Sequence, residues 1–133
     1  MALTEAEISY LSTQPLGRLA TVAPDGSPQV NPVGFRYDPE LGVIDIGGHA
    51  LAASKKFRNV AAGSRASIVV DDIVSRQPWQ VRGVEIRGDA EALDGQDPLR
   101  PGFSAEIIRI HPRRVISWGV EPGQDGMTPR DVA

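Results

Sequence analysis

The densest chemical signal in the chain is Ser54-Lys55-Lys56-Phe57-Arg58-Asn59, three cations and a hydroxyl at the start of a helical stretch that follows the glycine pair Gly47-Gly48. In a chain with a net charge of −3 such a cluster reads as a local anion site. Free backbone N–H groups at a helix start favour phosphate, and neighbouring lysines add charge-assisted bonds of roughly 1.5–3 kcal/mol each. The competing reading is a solvated helix face, because Lys and Arg are ordinarily exposed. On an ideal helix Lys56 stands about 60° from the face shared by Ala53, Phe57 and Val60, at the border of core and solvent. Lys55 lies farther round and is expected to matter less, unless the helix begins at Ser54.

Other candidates are weaker. Two glycines after a strand mark either a simple turn or a place where a ligand approaches the backbone. Asn31, Val33 and Phe35 share one face of a strand beside Pro32 and line either a pocket for a flat ring or the core. Trp79 and Trp118 are interface, stacking or core aromatics. His111, before Pro112, reads as a turn residue rather than a catalytic one. No cysteine is present, which removes thiolate nucleophiles, disulfides and cysteine-ligated metals. Two histidines without spaced carboxylates offer no metal site. No Ser-His-Asp order, phosphate-binding loop or dinucleotide fingerprint appears, so no catalytic side chain is assigned and any redox chemistry must ride on a bound cofactor. A proton, where one is needed, comes from water, Tyr37 or His49. The acidic balance argues against nucleic acid. No apolar run approaches the roughly 18–20 residues of a membrane span, and the acidic N-terminus lacks the form of a secretory signal, which points to the cytoplasm.

These residues need a scaffold of short strands. Thr4-Glu5-Ala6-Glu7 has the form of a capping box and opens a helix expected to end near Gln14-Pro15. Strands are then expected at Arg18–Ala23, Gln29–Tyr37, Val43–Ile46, Ala66–Val70, Gln80–Leu93, Ala105–His111 and Val115–Val120, with a turn at Pro112 between the last two. Asp25-Gly26 and Asp38-Pro39-Glu40-Leu41-Gly42 close hairpins, and Pro32 marks an edge or a bulge. A helix is expected from about 50 to 62, stopped by Gly63. The 133 residues fit one domain, with a core over about 14–120 and a loose polar tail over 121–133. Strands apolar on both faces, as in 65–70, imply a dimer.

Taken together, Leu16-Gly17-Arg18-Leu19-Ala20-Thr21-Val22, Asp25-Gly26-Ser27-Pro28, Asn31-Pro32-Val33-Gly34-Phe35, Ser54-Lys55-Lys56-Phe57-Arg58-Asn59-Val60 and Val84-Glu85-Ile86-Arg87-Gly88-Asp89 resemble, in order and spacing, the pyridoxamine 5′-phosphate oxidase-like superfamily. The stretch Phe103 to Gly119 looks most like its branch that uses coenzyme F420, a 5-deazaflavin. The resemblance implies a mainly β fold, a Greek-key split β-barrel of the FMN-binding type with two or three short helices, homodimeric, with cofactor at the subunit interface. It implies phosphate on Ser54, Lys55 and Lys56, the ring near Asn31, Pro32, Val33 and Gly34 and near Ile46, Gly47 and Gly48, and a reach from the partner's Trp79, the partner's Gln80 and the partner's Arg82. The function so implied is an F420H₂-dependent reductase passing hydride to a small organic substrate. The alternatives are an FMN oxidoreductase of the same fold and a non-enzymatic flavin- or haem-binding protein. Many flavin oxidases carry glutamine where this chain has Gly83, and they carry a longer substrate-binding C-terminus; both departures weigh against FMN.

Overall fold

The computed structural model describes residues 2–132. Helix α1 spans Glu5–Ser12 and opens on the capping box expected from its sequence: the Glu7 N–H donates to Thr4 Oγ1 at 3.1 Å and the Thr4 N–H to Glu7 Oε1 at 2.9 Å. Seven strands follow: β1 (Gly17–Val22), β2 (Pro28–Asp38), β3 (Val43–Gly47), β4 (Ala66–Arg76), β5 (Trp79–Leu93), β6 (Ile107–Trp118) and β7 (Thr128–Asp131). A 3₁₀ turn at Leu51–Ala53 and the short helix α2 (Lys55–Ala61) lie between β3 and β4. Among the described residues no helix is long and apolar enough to cross a membrane.

The sheet order β3-β2-β1-β4-β5-β6-β7 closes on itself because β3 also pairs with β6, through Ile44↔Ile110 and Ile46↔Ile108. All pairings are antiparallel, so residues alternate between a packed interior and an outer face. Leu19, Ile46, Ile68, Ile86, Ile108 and Ile110 fill the interior, and α1 plugs one end with Tyr10 and Leu11. The mainly β split barrel is thus the architecture that the family resemblance implies.

Four elements differ from the expectation, the first being the helix expected from about 50 to 62, which Ser54, in extended backbone, divides into the 3₁₀ turn and α2. The β4–β5 hairpin runs on past Val70 to Arg76, because Asp71↔Gly83, Asp72↔Arg82 and Ile73↔Val81 continue the ladder beyond the barrel wall. Pro112 is not a turn. Strand β6 passes straight through it, and the register steps from Arg87↔Arg114 to Gly88↔Pro112, leaving Arg113 as the extra residue of a β-bulge. The bulge switches the buried parity from Ile108, Ile110 and Pro112 to Val115 and Ser117. A Cβ on Gly88 would overlap the His111 carbonyl, so only glycine permits that close approach. Finally, the polar tail contains β7, which pairs with β6 and carries Arg130 onto the fully buried Glu7 at 2.5 and 2.7 Å.

Candidate functional site

Strand β2 changes neighbours along its length. Pro28 to Val33 pair with β1, while pairing with β3 begins only at Gly34↔Gly47. At Pro32, which has no N–H to donate, the β3-facing side of the strand is open, as an edge proline requires. Beyond Gly47 the chain leaves the sheet through Gly48 and the 3₁₀ turn into α2. The gap so made is a cleft of about 380 Å³. Its walls are Pro32, Val33 and Gly34 from β2, Gly47 at the end of β3 and Gly48 to Leu51 after it, Ser54 and Lys56 at the start of α2, and Leu16. Arg100 and Phe103, from the loop between β5 and β6, complete it.

That loop is stapled in place. Ser104 donates its N–H to the Gly48 carbonyl at 2.8 Å, its Oγ accepts the Leu51 N–H at 3.1 Å, and His49 Nδ1 lies 3.0 Å from the Gly102 carbonyl. Phe103 lies over the glycines: a Cβ on Gly47 would sit 2.8 Å from its ring. His49 meets the same ring edge-on, centroids 5.0 Å apart, and the Arg100 guanidinium lies 5.7 Å from its centroid.

The electrostatics of the cleft are one-sided. Lys56 and Arg100 line it and no carboxylate does, and neither cation has an ion-pair partner among the described residues. Burial pushes the Lys56 amine below its ordinary value, so a bound anion would restore what desolvation costs it. Ser54 caps α2, its Oγ accepting the Phe57 N–H at 3.3 Å and donating to the Leu51 carbonyl at 2.6 Å. Because a carbonyl only accepts, His49 Nδ1 carries the hydrogen in that bond, and the neutral ring presents Nε2 as an acceptor. Among the described residues no group of three or more His, Asp or Glu stands close enough to hold a metal ion.

Of the residues singled out from sequence, Pro32, Val33, Gly34, Gly47, Gly48, Ser54 and Lys56 converge on this cleft. Others do not. Ile46 is fully buried in the barrel, because β3 alternation turns it inward. Asn31 shares the inward face with Val33 and Phe35, and its Oδ1 is the one buried side-chain polar atom without a hydrogen-bond partner among the described residues. Lys55 is exposed on the outer side of α2. Trp79 and Gln80 line a separate groove on the β4–β5 hairpin with Val74, Trp118 and Met127. Arg82 is held by Asp72 at 2.8 and 3.1 Å and stacks on Tyr10. Tyr37 lies outside the cleft, in a groove beside α1. His111 sits mid-strand, paired with Glu91. At Gly83 a Cβ would run into the Trp118 indole, so that position has no room for a side chain. The sequence reading missed Arg100 and Phe103; the only signal was one cation and one aromatic in an otherwise Pro-, Gly- and Asp-rich loop.

Comparison with known proteins extends this geometry. Over 134 aligned residues the chain is 47% identical to a 5a,11a-dehydrotetracycline/5a,11a-dehydrooxytetracycline reductase from Streptomyces rimosus, covering 99% of this chain and 94% of that protein. A haem-binding protein from Mycobacterium smegmatis superposes with a TM-score of 0.70 at 19% identity, over 98% of this chain, which spans only 59% of that longer protein. General stress protein 26 from Bacillus anthracis superposes with a TM-score of 0.64 at 18% identity, over 91% of this chain and 97% of the other. At such identities the two structures speak for the fold alone. The sequence profile of pyridoxamine 5′-phosphate oxidase matches residues 3–131, from α1 through the last residue of β7. With that match running through every strand of the barrel, the chain belongs to the pyridoxamine 5′-phosphate oxidase family, a family of oxidoreductases.

Proposed function

We propose that the protein is an F420H₂-dependent reductase that saturates a conjugated double bond in a small polycyclic molecule, working as a homodimer. The observation that carries this reading is the cleft where β2 and β3 part: glycine-lined along one wall, bounded by Lys56 and Arg100, and free of carboxylates among its lining residues. Such a donor set fits the phosphate and flat ring of a flavin-type cofactor. The 47% identity to a reductase of tetracycline derivatives supports the direction of the chemistry and the substrate class.

When bound, the reduced deazaflavin supplies the hydride. The chain's own residues bind, orient and shield. Lys56 holds the phosphate. Gly34 and Gly47 admit the Phe103 ring against the backbone, so a cofactor ring would meet Phe103 there and bare backbone only at Gly48. Phe103 keeps water from that wall. His49 delivers a proton only as imidazolium, since its neutral ring already spends its hydrogen on Gly102; otherwise the proton comes from water. In the dimer the partner's Trp79 and the partner's Gln80 close the open side. The Gly83–Trp118 contact weighs against FMN, because the glutamine that many flavin oxidases carry at that place would collide with the indole.

Fluorescence titration with F420 and with FMN tests the cofactor, and turnover of reduced F420 with a dehydrotetracycline-type enone tests the reaction. Saturable binding of F420 over FMN with enone-dependent oxidation is expected. Preference for FMN, or binding of F420 without turnover of any enone or quinone, would replace the reading with one of its two alternatives.

A further inference from the structure

A second groove, of about 600 Å³, lies between α1 and β2. We infer that it is the docking site for the substrate, and that it selects fused-ring molecules carrying acidic oxygens. The inference rests on the proposed reductase activity for its place in the reaction, though not for the binding it describes.

Three continuities join this groove to the cofactor cleft. Arg100 lines both. Consecutive residues of β2 divide between them, Gly34 on the cleft and Phe35 on the groove, and the same holds where α1 gives way to β1, with Pro15 on the groove and Leu16 on the cleft. Arg100 also donates to the Pro15 carbonyl at 3.4 Å, so its guanidinium stands at the passage from one to the other. A molecule lying in the groove therefore ends beside whatever ring the cleft holds, which a hydride acceptor requires.

The walls define the chemistry. Ile8, Leu11, Phe35 and Pro39 make an apolar trough suited to a planar polycycle. Arg36 and Arg100 face it with no carboxylate among the lining residues, and neither has an ion-pair partner among the described residues. Planar guanidiniums of this kind suit enolate, phenolate or carboxylate oxygens. A neutral hydrocarbon would leave both arginines unused.

The test uses tetracycline, a fused four-ring compound with acidic enol oxygens, titrated calorimetrically into the intact protein, with F420 titrated in parallel. Ser12→Trp fills the groove from an exposed position of α1, where the fold is not at stake, and Arg36→Gln removes the cation that lines the groove but not the cleft. Saturable tetracycline binding is expected in the parent, weaker by about tenfold or more in Ser12→Trp and by about tenfold in Arg36→Gln, with F420 affinity unchanged in both. The inference is overturned if the parent shows no saturable tetracycline binding, if both variants bind it as well as the parent does, or if Ser12→Trp weakens F420 as much as tetracycline. Failure of the cofactor reading shows separately, as a parent that does not bind F420 at all while the groove variants still govern tetracycline.

Discussion

Two populations of cations occupy this molecule, and their surroundings differ. On the sheet and around α1, seven arginines (Arg18, Arg82, Arg87, Arg109, Arg113, Arg114 and Arg130) each lie 2.5–2.9 Å from a carboxylate. Along the β2–α2 side, Lys56, Arg100 and Arg36 have no such partner among the described residues, and neither do the exposed Lys55, Arg58, Arg65 and Arg76. Scarcity of acids does not explain the difference, since Asp and Glu number 17 against 14 Lys and Arg. A cation paired within the chain helps to fix the fold. Of the cations that line the cleft and the groove only Lys56 is half-buried, Arg36 and Arg100 being exposed, so it is at Lys56 that the missing partner costs stability and makes sense when a ligand supplies the charge.

The comparison breaks first, and hardest, at Arg130. Burial alone would raise the Glu7 carboxyl; the Arg130 guanidinium and the Thr4 N–H outweigh it and hold Glu7 below its usual 4.5. Arg130→Ala strands a fully buried carboxylate and is expected to cost about 3 kcal/mol, read from urea midpoints at pH 7. The pH dependence gives the sign. A depressed carboxyl contributes stability above about pH 4.5 that disappears as pH falls through the lowered value. In the variant burial dominates, so protonation relieves the penalty. The gap between parent and variant should therefore narrow on acidification, and a constant gap would remove Glu7 from the account.

The opposite behaviour is expected at Lys56. Lys56→Ala should weaken cofactor binding by about 1.5–3 kcal/mol, roughly ten- to a hundredfold in Kd, and leave the melting temperature of the cofactor-free protein nearly unchanged. The effect should shrink with added salt. A drop in melting temperature with unaltered binding would move Lys56 into the structural population.

Gly83→Gln sharpens the cofactor side of the contrast. The new side chain must displace the Trp118 indole, and a loss of about 1–3 kcal/mol is expected by chemical denaturation, with no gain in FMN affinity. A stable variant with improved FMN binding would reverse the argument drawn from that glycine. Smallest of all, Arg18→Ala removes an exposed pair with Asp71, side chains 53% and 46% accessible. It should cost about 0–1 kcal/mol by thermal melt and leave F420 affinity untouched.

Local chemistry was readable from the chain alone. The capping box at Thr4–Glu7, the hairpin turns and the strand alternation follow from side-chain hydrogen bonding, backbone freedom and period-two burial, all of which act within a few residues. The cation cluster was equally visible, and helix geometry separated Lys56, at the cleft, from Lys55, in solvent. Pro112 shows where local reasoning stops. A proline and a break in parity look the same whether the chain turns or bulges, and only the partner strand β5 decides, because the extra residue exists only relative to a neighbour. Arg100 and Phe103 are likewise invisible in a loop with no period. They reach the glycines because Ser104 staples the loop to Gly48, a contact 56 residues long in sequence. The chain by itself determined which residues alternate, cap and carry charge; the closed barrel determined which of those charges find partners, since pairing depends on distances that only the folded chain creates.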